Sequence, residues 1–223
     1  MSVLRLENVC FSYDKTPVLN NISYEFENGK IYAIVGKSGA GKTTLLSLLS
    51  GPATPTSGPI YYKDQDIKKI NKYDFRSKYV GVVFQSFNLL TKLTALENAI
   101  LSMDISGAKI ANKKEKALEL LESVGLDSDE ANRRVLKLSG GQQQRIAIAR
   151  ALSYDPDIIL ADEPTGNLDG ETQDEIMEIF RVLAQQGKCI ILVTHSPEVA
   201  KQADCVYTLQ GREKKSKKAN SKK

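Results

Sequence analysis

The sequence predicts an α/β fold built on a mostly parallel sheet, and three observations carry that expectation. Apolar runs at residues 31–35, 79–84, 158–161 and 189–193 have the length and composition of buried strands. Helical patterns lie between them, and strands alternating with helices imply parallel pairing through crossovers. The third is Gly36-Lys37-Ser38-Gly39-Ala40-Gly41-Lys42-Thr43, which satisfies G-x-x-x-x-G-K-S/T directly after the first run. A chain of 223 residues suits one large domain, or a core carrying a smaller inserted subdomain.

In chain order, residues 3–9 alternate well enough for a half-buried strand, 12–17 read as a loop and 22–26 as a second strand. Asn28-Gly29 is a turn signal returning the chain into strand 31–35. Thr44 and the leucines after it start a helix; 51–58 form a Gly/Pro-rich loop and 60–62 a short strand. Strand 79–84 ends at Gln85, where strand signals give way to helical ones, so about 86–135 reads as a mostly helical insertion. Within it Asn112 and Glu115 resemble a capping box, Ala117, Leu120, Leu121 and Val124 follow at helical spacing, and Gly125 is the stop. Residues 140–152 are helical, 158–161 a buried strand, and a long helix runs from about Gly170 to a stop at Gly187. Residues 189–193 and 206–209 complete the strands. There is no sustained heptad and no internal repeat.

Composition narrows the classes of partner. At 41% hydrophobic residues a well-packed core is available, yet no stretch approaches the roughly 18 consecutive apolar residues of a membrane span. No secretory leader opens the sequence, so the expected location is the cytoplasm or the inner face of a membrane. Cys10, Cys189 and Cys205 are widely spaced and lack a C-x-x-C pair, the pattern of reduced thiols rather than of a disulfide framework or zinc site. The net charge of +4 is terminal: residues 212–223 hold seven basic residues and Glu213, and removing their +6 leaves −2 on residues 1–211. The body therefore lacks the charge of a nucleic-acid-binding surface. The Lys-rich tail is expected to be disordered, either a solvated end or a segment attracted to anionic lipid headgroups.

The glycines of the phosphate loop let the backbone wrap a phosphate chain, its N–H groups pointing inward and the following helix N-terminus adding positive potential. Lys42 would reach the β- and γ-phosphates and the Thr43 hydroxyl would ligate Mg²⁺. In parallel sheets ligands bind beyond the carboxyl ends of the strands. The phosphate loop, Gln85, Asp162-Glu163 and His195 all follow strand ends and can converge there. Asp162 suits the Mg²⁺ shell, and Glu163 is placed to orient or deprotonate the water that attacks the γ-phosphate. His195, the one histidine of the sequence, ends a strand, and hydrogen bonding to the γ-phosphate is its natural role. Leu138-Ser139-Gly140-Gly141-Gln142 is a second glycine-rich element. An anion cradle offered to a second subunit and an ordinary Ser/Gly helix start both fit its local physics.

These elements occur in the order and spacing of ABC-type ATPase subunits, which the sequence resembles from about residue 3 to 209. The residues that carry the resemblance are Gly36 to Thr43, Gln85, Leu138-Ser139-Gly140-Gly141-Gln142-Gln143-Gln144-Arg145, Ile158 to Glu163, Asn167-Leu168-Asp169 and His195. Further stretches, Gln85-Ser86-Phe87-Asn88-Leu89-Leu90 with Leu93-Thr94-Ala95-Leu96-Glu97-Asn98, and Ala161-Asp162-Glu163-Pro164-Thr165-Gly166-Asn167-Leu168-Asp169, look like the macrolide-export, lipoprotein-release and cell-division subfamily. The resemblance implies a P-loop NTPase core of ABC type over residues 1–211, with an antiparallel β subdomain and the helical subdomain at about 86–135.

It also implies roles. Tyr13 would stack on adenine. Gly36, Lys37, Ser38, Gly39, Ala40, Gly41, Lys42, Thr43 and Thr44 would hold the phosphates of ATP. Thr43, Gln85 and Asp162 would surround Mg²⁺. Ser139, Gly140, Gly141 and Gln142 would touch the γ-phosphate of ATP bound to a second copy, and Asp169 would cross that interface. Glu163 would be the catalytic base, His195 the γ-phosphate sensor and Gln85 a participant in catalysis. Arg133-Arg134-Val135-Leu136-Lys137 departs from relatives that often carry a proline before the signature, and the Lys-rich tail lies outside the resemblance.

The expected function is ATP binding and hydrolysis by a homodimer that drives a separate permease with few spans and an extracytoplasmic domain, in export of peptides, antibiotics or lipoproteins. A non-transporting regulatory subunit of the cell-wall-hydrolase type shares every one of these residues. A soluble chromosome or DNA-repair ATPase would need a long coiled coil, whereas about 95 residues without heptads separate Thr43 from Leu138.

Overall fold

The computed structural model describes residues 2–210; Met1 and residues 211–223, with them the basic tail, lie outside the described residues. The chain opens with a long antiparallel hairpin, β1 (Ser2–Tyr13) and β2 (Thr16–Glu27). Tyr13 pairs with Thr16, so the expected loop at 12–17 is a two-residue turn, Asp14-Lys15, inside a ladder that also pairs Ser12 with Pro17. Asp14 takes φ 51°, a left-handed conformation that Asp tolerates. The polar run that reads as a loop is thus the exposed end of a hairpin. Strands β4 (Ile60–Tyr62) and β5 (Gln65–Asp66) extend this sheet in the order β2-β1-β4-β5. Strand β5, two polar residues long, has no sequence signal.

The second sheet is wholly parallel, in the order β6-β7-β8-β3-β9. Its strands are β3 (Ile31–Val35), β6 (Val80–Val83), β7 (Ile158–Asp162), β8 (Cys189–Thr194) and β9 (Cys205–Thr208). Helix α1 (Lys42–Leu49) follows β3. A short helix, α2 (Lys72–Asp74), continues into a π-helical turn, Phe75–Tyr79, that delivers Tyr79 to the start of β6 rather than into it.

After β6 come α3 (Ala95–Ser106), α4 (Lys113–Ser123) and α5 (Ser128–Ala131). At α4 the Asn112 side chain accepts from the Glu115 N–H (3.2 Å), while its amide donates to the Glu115 carboxylate (2.8 Å). The reciprocal half of the cap therefore runs between side chains, not to the backbone. Helices α6 (Gly140–Leu152), α7 (Gly170–Gln185) and α8 (Pro197–Lys201) follow.

Why the strands read as unbroken apolar runs is plain from their surroundings: both faces of the parallel sheet are covered. Ile159, Ala161, Ile190 and Leu192 face a core shared with α3, α4, α6 and α7. Ile158, Leu160, Ile191 and Val193 face the other way, into a core with α1 and the inner face of the hairpin. Phe26 of β2 closes this second core. It is fully buried and meets Tyr32 of β3 and Tyr207 of β9 edge-on, at 5.0 and 5.6 Å. Phe26→Ala removes the ring that joins the two sheets and is expected to cost about 3–5 kcal/mol, measured by chemical denaturation.

Candidate active site

Sheet register decides where the chemistry gathers. Val35 pairs with Thr194 on one side and Thr208 on the other, and Asp162 pairs with Val193. The segments that follow β3, β7 and β8 therefore leave the sheet at one edge, its carboxyl end. A cavity of about 360 Å³ lies there, lined by Ser38, Gly39, Gly41, Lys42, Thr43 and Thr44 of the loop together with Gln85, Asp162 and Glu163. Val18 of β2 forms its remaining wall, a contribution that no motif announces.

Loop geometry depends on two close approaches. Gly41, the residue before α1, has φ 98°, and a β-carbon on it would come within 2.9 Å of both Val18 and Leu19. At Gly36 a β-carbon would sit 2.7 Å from the Leu209 carbonyl oxygen, where the chain leaves β9. Lys42 curls back over the loop and donates to the Gly36 carbonyl (2.7 Å), the hold that a phosphate oxygen would replace. Ala40 turns its methyl into the core and offers only its backbone, its N–H donating to the Lys37 carbonyl (3.1 Å).

At the end of β7 two carboxylates diverge. Burial raises the Asp162 carboxyl above the ordinary aspartate value, the charge of Glu163 adds to this, and Lys42 opposes it. Glu163 takes φ 46°, a left-handed conformation that costs an unbranched side chain about 1–2 kcal/mol. Its N–H donates to the Val193 carbonyl (2.9 Å), which holds the twist in place. The same residue's carboxylate meets His195 twice: Nδ1 lies 2.8 Å from Oε1, and the His195 backbone N–H donates to Oε2 at 3.2 Å. His195 thus joins the site through Glu163 and lies outside the cavity lining.

Gln85 sits just past β6 with its side chain exposed. Phe87 and Asn88 behind it both have positive φ, 59° and 51°. Arg150, on the last turn of α6, donates to the carbonyls of both residues, at 2.9 Å for Phe87. Thr43, Gln85 and Asp162 form an all-oxygen donor set of hydroxyl, amide and carboxylate, the kind that suits Mg²⁺. Among the described residues no cluster of three or more His, Cys, Asp or Glu side chains could enclose a metal ion.

Four of the remaining residues form a separate structure. Ser139 caps α6, its hydroxyl accepting from the Gln142 N–H (3.2 Å) while the Gln142 side chain accepts from the Ser139 N–H (2.7 Å). Gly140 and Gly141 open the helix within this capping box. Asp169 caps α7, accepting from the Thr172 N–H (2.9 Å) and hydroxyl (3.0 Å), which holds its carboxyl below the usual range. Tyr13 is 56% exposed and rests edge-on against Phe11, with ring centroids 4.8 Å apart. None of these residues lines the phosphate-loop cavity.

The family model described as ABC transporter matches residues 19–166, more than half of the chain. The chain belongs to the ABC transporter family. It is an ATP-binding subunit with the α/β cassette fold, and it is an ATPase. It is 46% identical over 207 residues to the ABC transporter ATP-binding protein YclH of Bacillus subtilis, covering 92% of each sequence. Its fold matches the dimeric ABC transporter cassette MJ0796 with a TM-score of 0.84, at 36% identity and over 93% of this chain and 94% of that one. A post-hydrolysis dimeric structure of MJ0796 bound to ADP and Pi also matches at TM-score 0.84, at 35% identity, covering 94% of this chain and 97% of that one.

The raised Asp162 value has a measurable consequence. The native state binds that proton more tightly than the unfolded chain does, so the ionised carboxylate destabilises the ligand-free protein above its raised value. Asp162→Asn is therefore expected to raise Tm at neutral pH. The difference should shrink as pH falls through the raised value towards the ordinary aspartate value of 3.8, as read by thermal unfolding across a pH series.

Proposed function

We propose that this chain is the motor subunit of a membrane complex: two copies close around two molecules of ATP with Mg²⁺, and hydrolysis drives a separate integral membrane permease. The observation that carries this reading is the gathering of the phosphate loop, Gln85, Asp162 and the Glu163–His195 pair at one sheet edge, with a second capped Ser-Gly-Gly helix start standing outside that cavity. The relative MJ0796 is described as dimeric, and as bound to ADP and Pi after hydrolysis. Its nucleotide and its assembly are the model for this chain.

Each residue has a task in this reading. Backbone N–H groups from Gly36 to Thr44 and the Lys42 ammonium bind the phosphates, with Ser38 beside them. Tyr13 offers its exposed ring to adenine. Thr43, Gln85 and Asp162 would hold Mg²⁺, which when bound would neutralise charge on the terminal phosphate oxygens. Glu163 accepts a proton from the attacking water. Its left-handed backbone and its two contacts with His195 fix the direction of the carboxylate, so little reorganisation is needed at the moment of reaction. From the second copy, Ser139, Gly140, Gly141 and Gln142 reach the γ-phosphate, with Asp169 beside them at the interface. Loss of the γ-phosphate then removes what holds the copies together.

The helical insertion at about 86–135, entered through Gln85, passes this motion to a permease with few spans and an extracytoplasmic domain. That places the chain on the cytoplasmic face of the membrane, held there by the permease. Consistent with an attached subunit, no helix among the described residues is long and apolar enough to cross a membrane. The cargo class is peptides, antibiotics or lipoproteins, with specificity lying in the permease.

Glu163→Gln keeps the shape of the side chain and removes the base. Steady-state ATP turnover is expected to fall by about 10²–10⁴-fold, while size-exclusion chromatography with ATP shows a dimer that wild type does not accumulate. Near-normal turnover would overturn the assignment of the base, and a strictly monomeric variant would overturn the two-ATP assembly.

A further inference from the structure

Gln85 has an exposed side chain that makes no hydrogen bond to another described residue, yet the site needs its amide at a defined place. What fixes it must act through the backbone. Its own loop is poorly suited to the task. Phe87 and Asn88 are consecutive left-handed residues, and the bonds that hold them locally are short-range: Phe87 N–H to the Phe84 carbonyl (3.0 Å), Asn88 N–H to the Ser86 carbonyl (2.6 Å) and the Ser86 hydroxyl to the Asn88 side-chain oxygen (3.0 Å). A bulky residue such as Phe does not stay at positive φ unless its surroundings hold it there.

Arg150 supplies that hold. Its two terminal nitrogens donate to two successive carbonyls, those of Phe87 and Asn88, across 63 and 62 residues of sequence. No carboxylate forms an ion pair with Arg150 among the described residues, so these carbonyls are what compensates its charge. Burial lowers its tendency to carry that charge, which makes the two bonds more strongly required. The planar guanidinium fork matches two carbonyls side by side, which a lysine ammonium does not. Arg150 also stands on α6, the helix whose first turn is the Ser139–Gln142 cap. One rigid helix of 13 residues therefore carries the cap at one end and the clamp on the Gln85 loop at the other.

Resting on the functional reading above, we infer that Arg150 is the positioning residue for Gln85. It holds the Phe87-Asn88 turn so that the Gln85 amide faces the nucleotide-bound cation, and it makes the position of that amide depend on α6 and on whatever engages the Ser139 end.

The test compares nucleotide affinity with and without Mg²⁺, read with a fluorescent ATP analogue on the purified full chain. The quantity of interest is the gain in affinity that Mg²⁺ confers. Gln85→Ala removes the amide itself and sets the scale. Arg150→Met is expected to lose about tenfold of the gain, as loss of a residue supporting a ligand does, with Mg²⁺-free affinity little changed. Arg150→Lys, which can bond one carbonyl, should fall between and guards against misfolding of the methionine variant. Tyr154→Phe removes a neighbouring part-buried hydrogen bond, Tyr154 hydroxyl to the Val80 carbonyl (3.0 Å), at the other end of β6. It should lower Tm and keep the Mg²⁺ gain. If Gln85→Ala loses the gain and both Arg150 variants keep it, the positioning role is overturned while the site reading stands. If Tyr154→Phe loses as much as Arg150→Met, general loosening explains the effect and the inference falls. Full gain in Gln85→Ala would overturn the site reading and this inference with it.

Discussion

The in-register parallel pairing of β7, β8 and β3 is the constraint on which the rest depends. Asp162 opposite Val193, and Val35 opposite Thr194, place the phosphate loop, the two carboxylates and His195 at one level of one sheet edge. A slip of one residue would turn Ile159 and Ala161 out of the core shared with the helices, so burial on both faces fixes the register. The apolar core thus sets the position of the polar site, although it contributes no atom to the chemistry.

That rigidity lets unfavourable features persist at the edge. Glu163 keeps a left-handed backbone because its N–H is tied to Val193, inside the sheet, and its carboxylate to His195. Asp162 stays in a place that disfavours its charge because β7 leaves it nowhere else to go. Lys42, folded on the Gly36 carbonyl, supplies part of the compensation. Local strain at Glu163 and local desolvation at Asp162 are concentrated at this one edge, a common arrangement of functional sites.

The sequence made the strand-to-loop junctions legible because each junction is a change of chemistry over one or two residues. An apolar run ending in Asp162-Glu163, or in the Gly36 loop, needs no knowledge of tertiary structure to be noticed. Pairing over longer range left weaker traces. The hairpin end around Asp14 read as a loop because its residues are polar and exposed on both sides of the turn. Strand β5 has no apolar residue, and the π-helical turn at Phe75 depends on packing against Tyr62 and Tyr79. Val18 escaped notice because it acts through shape against Gly41. Arg150 escaped it because its partners are backbone carbonyls more than 60 residues away. The Ser139 cap was legible as a helix start, and within one chain the structure shows that helix start and its capping box.

The wall that β2 lends to the phosphate loop gives the hairpin a share in ligand binding. Val18 and Leu19 press on Gly41 from a sheet that shares no strand pairing with the parallel one. Opening of the hairpin would therefore empty one side of the phosphate cavity, and a filled cavity would resist that opening. Local unfolding of the hairpin and filling of the cavity would then be linked equilibria. Val18 and Leu19 thus tie β2 to the phosphate loop, even though β1 and β2 pair with no strand of its sheet.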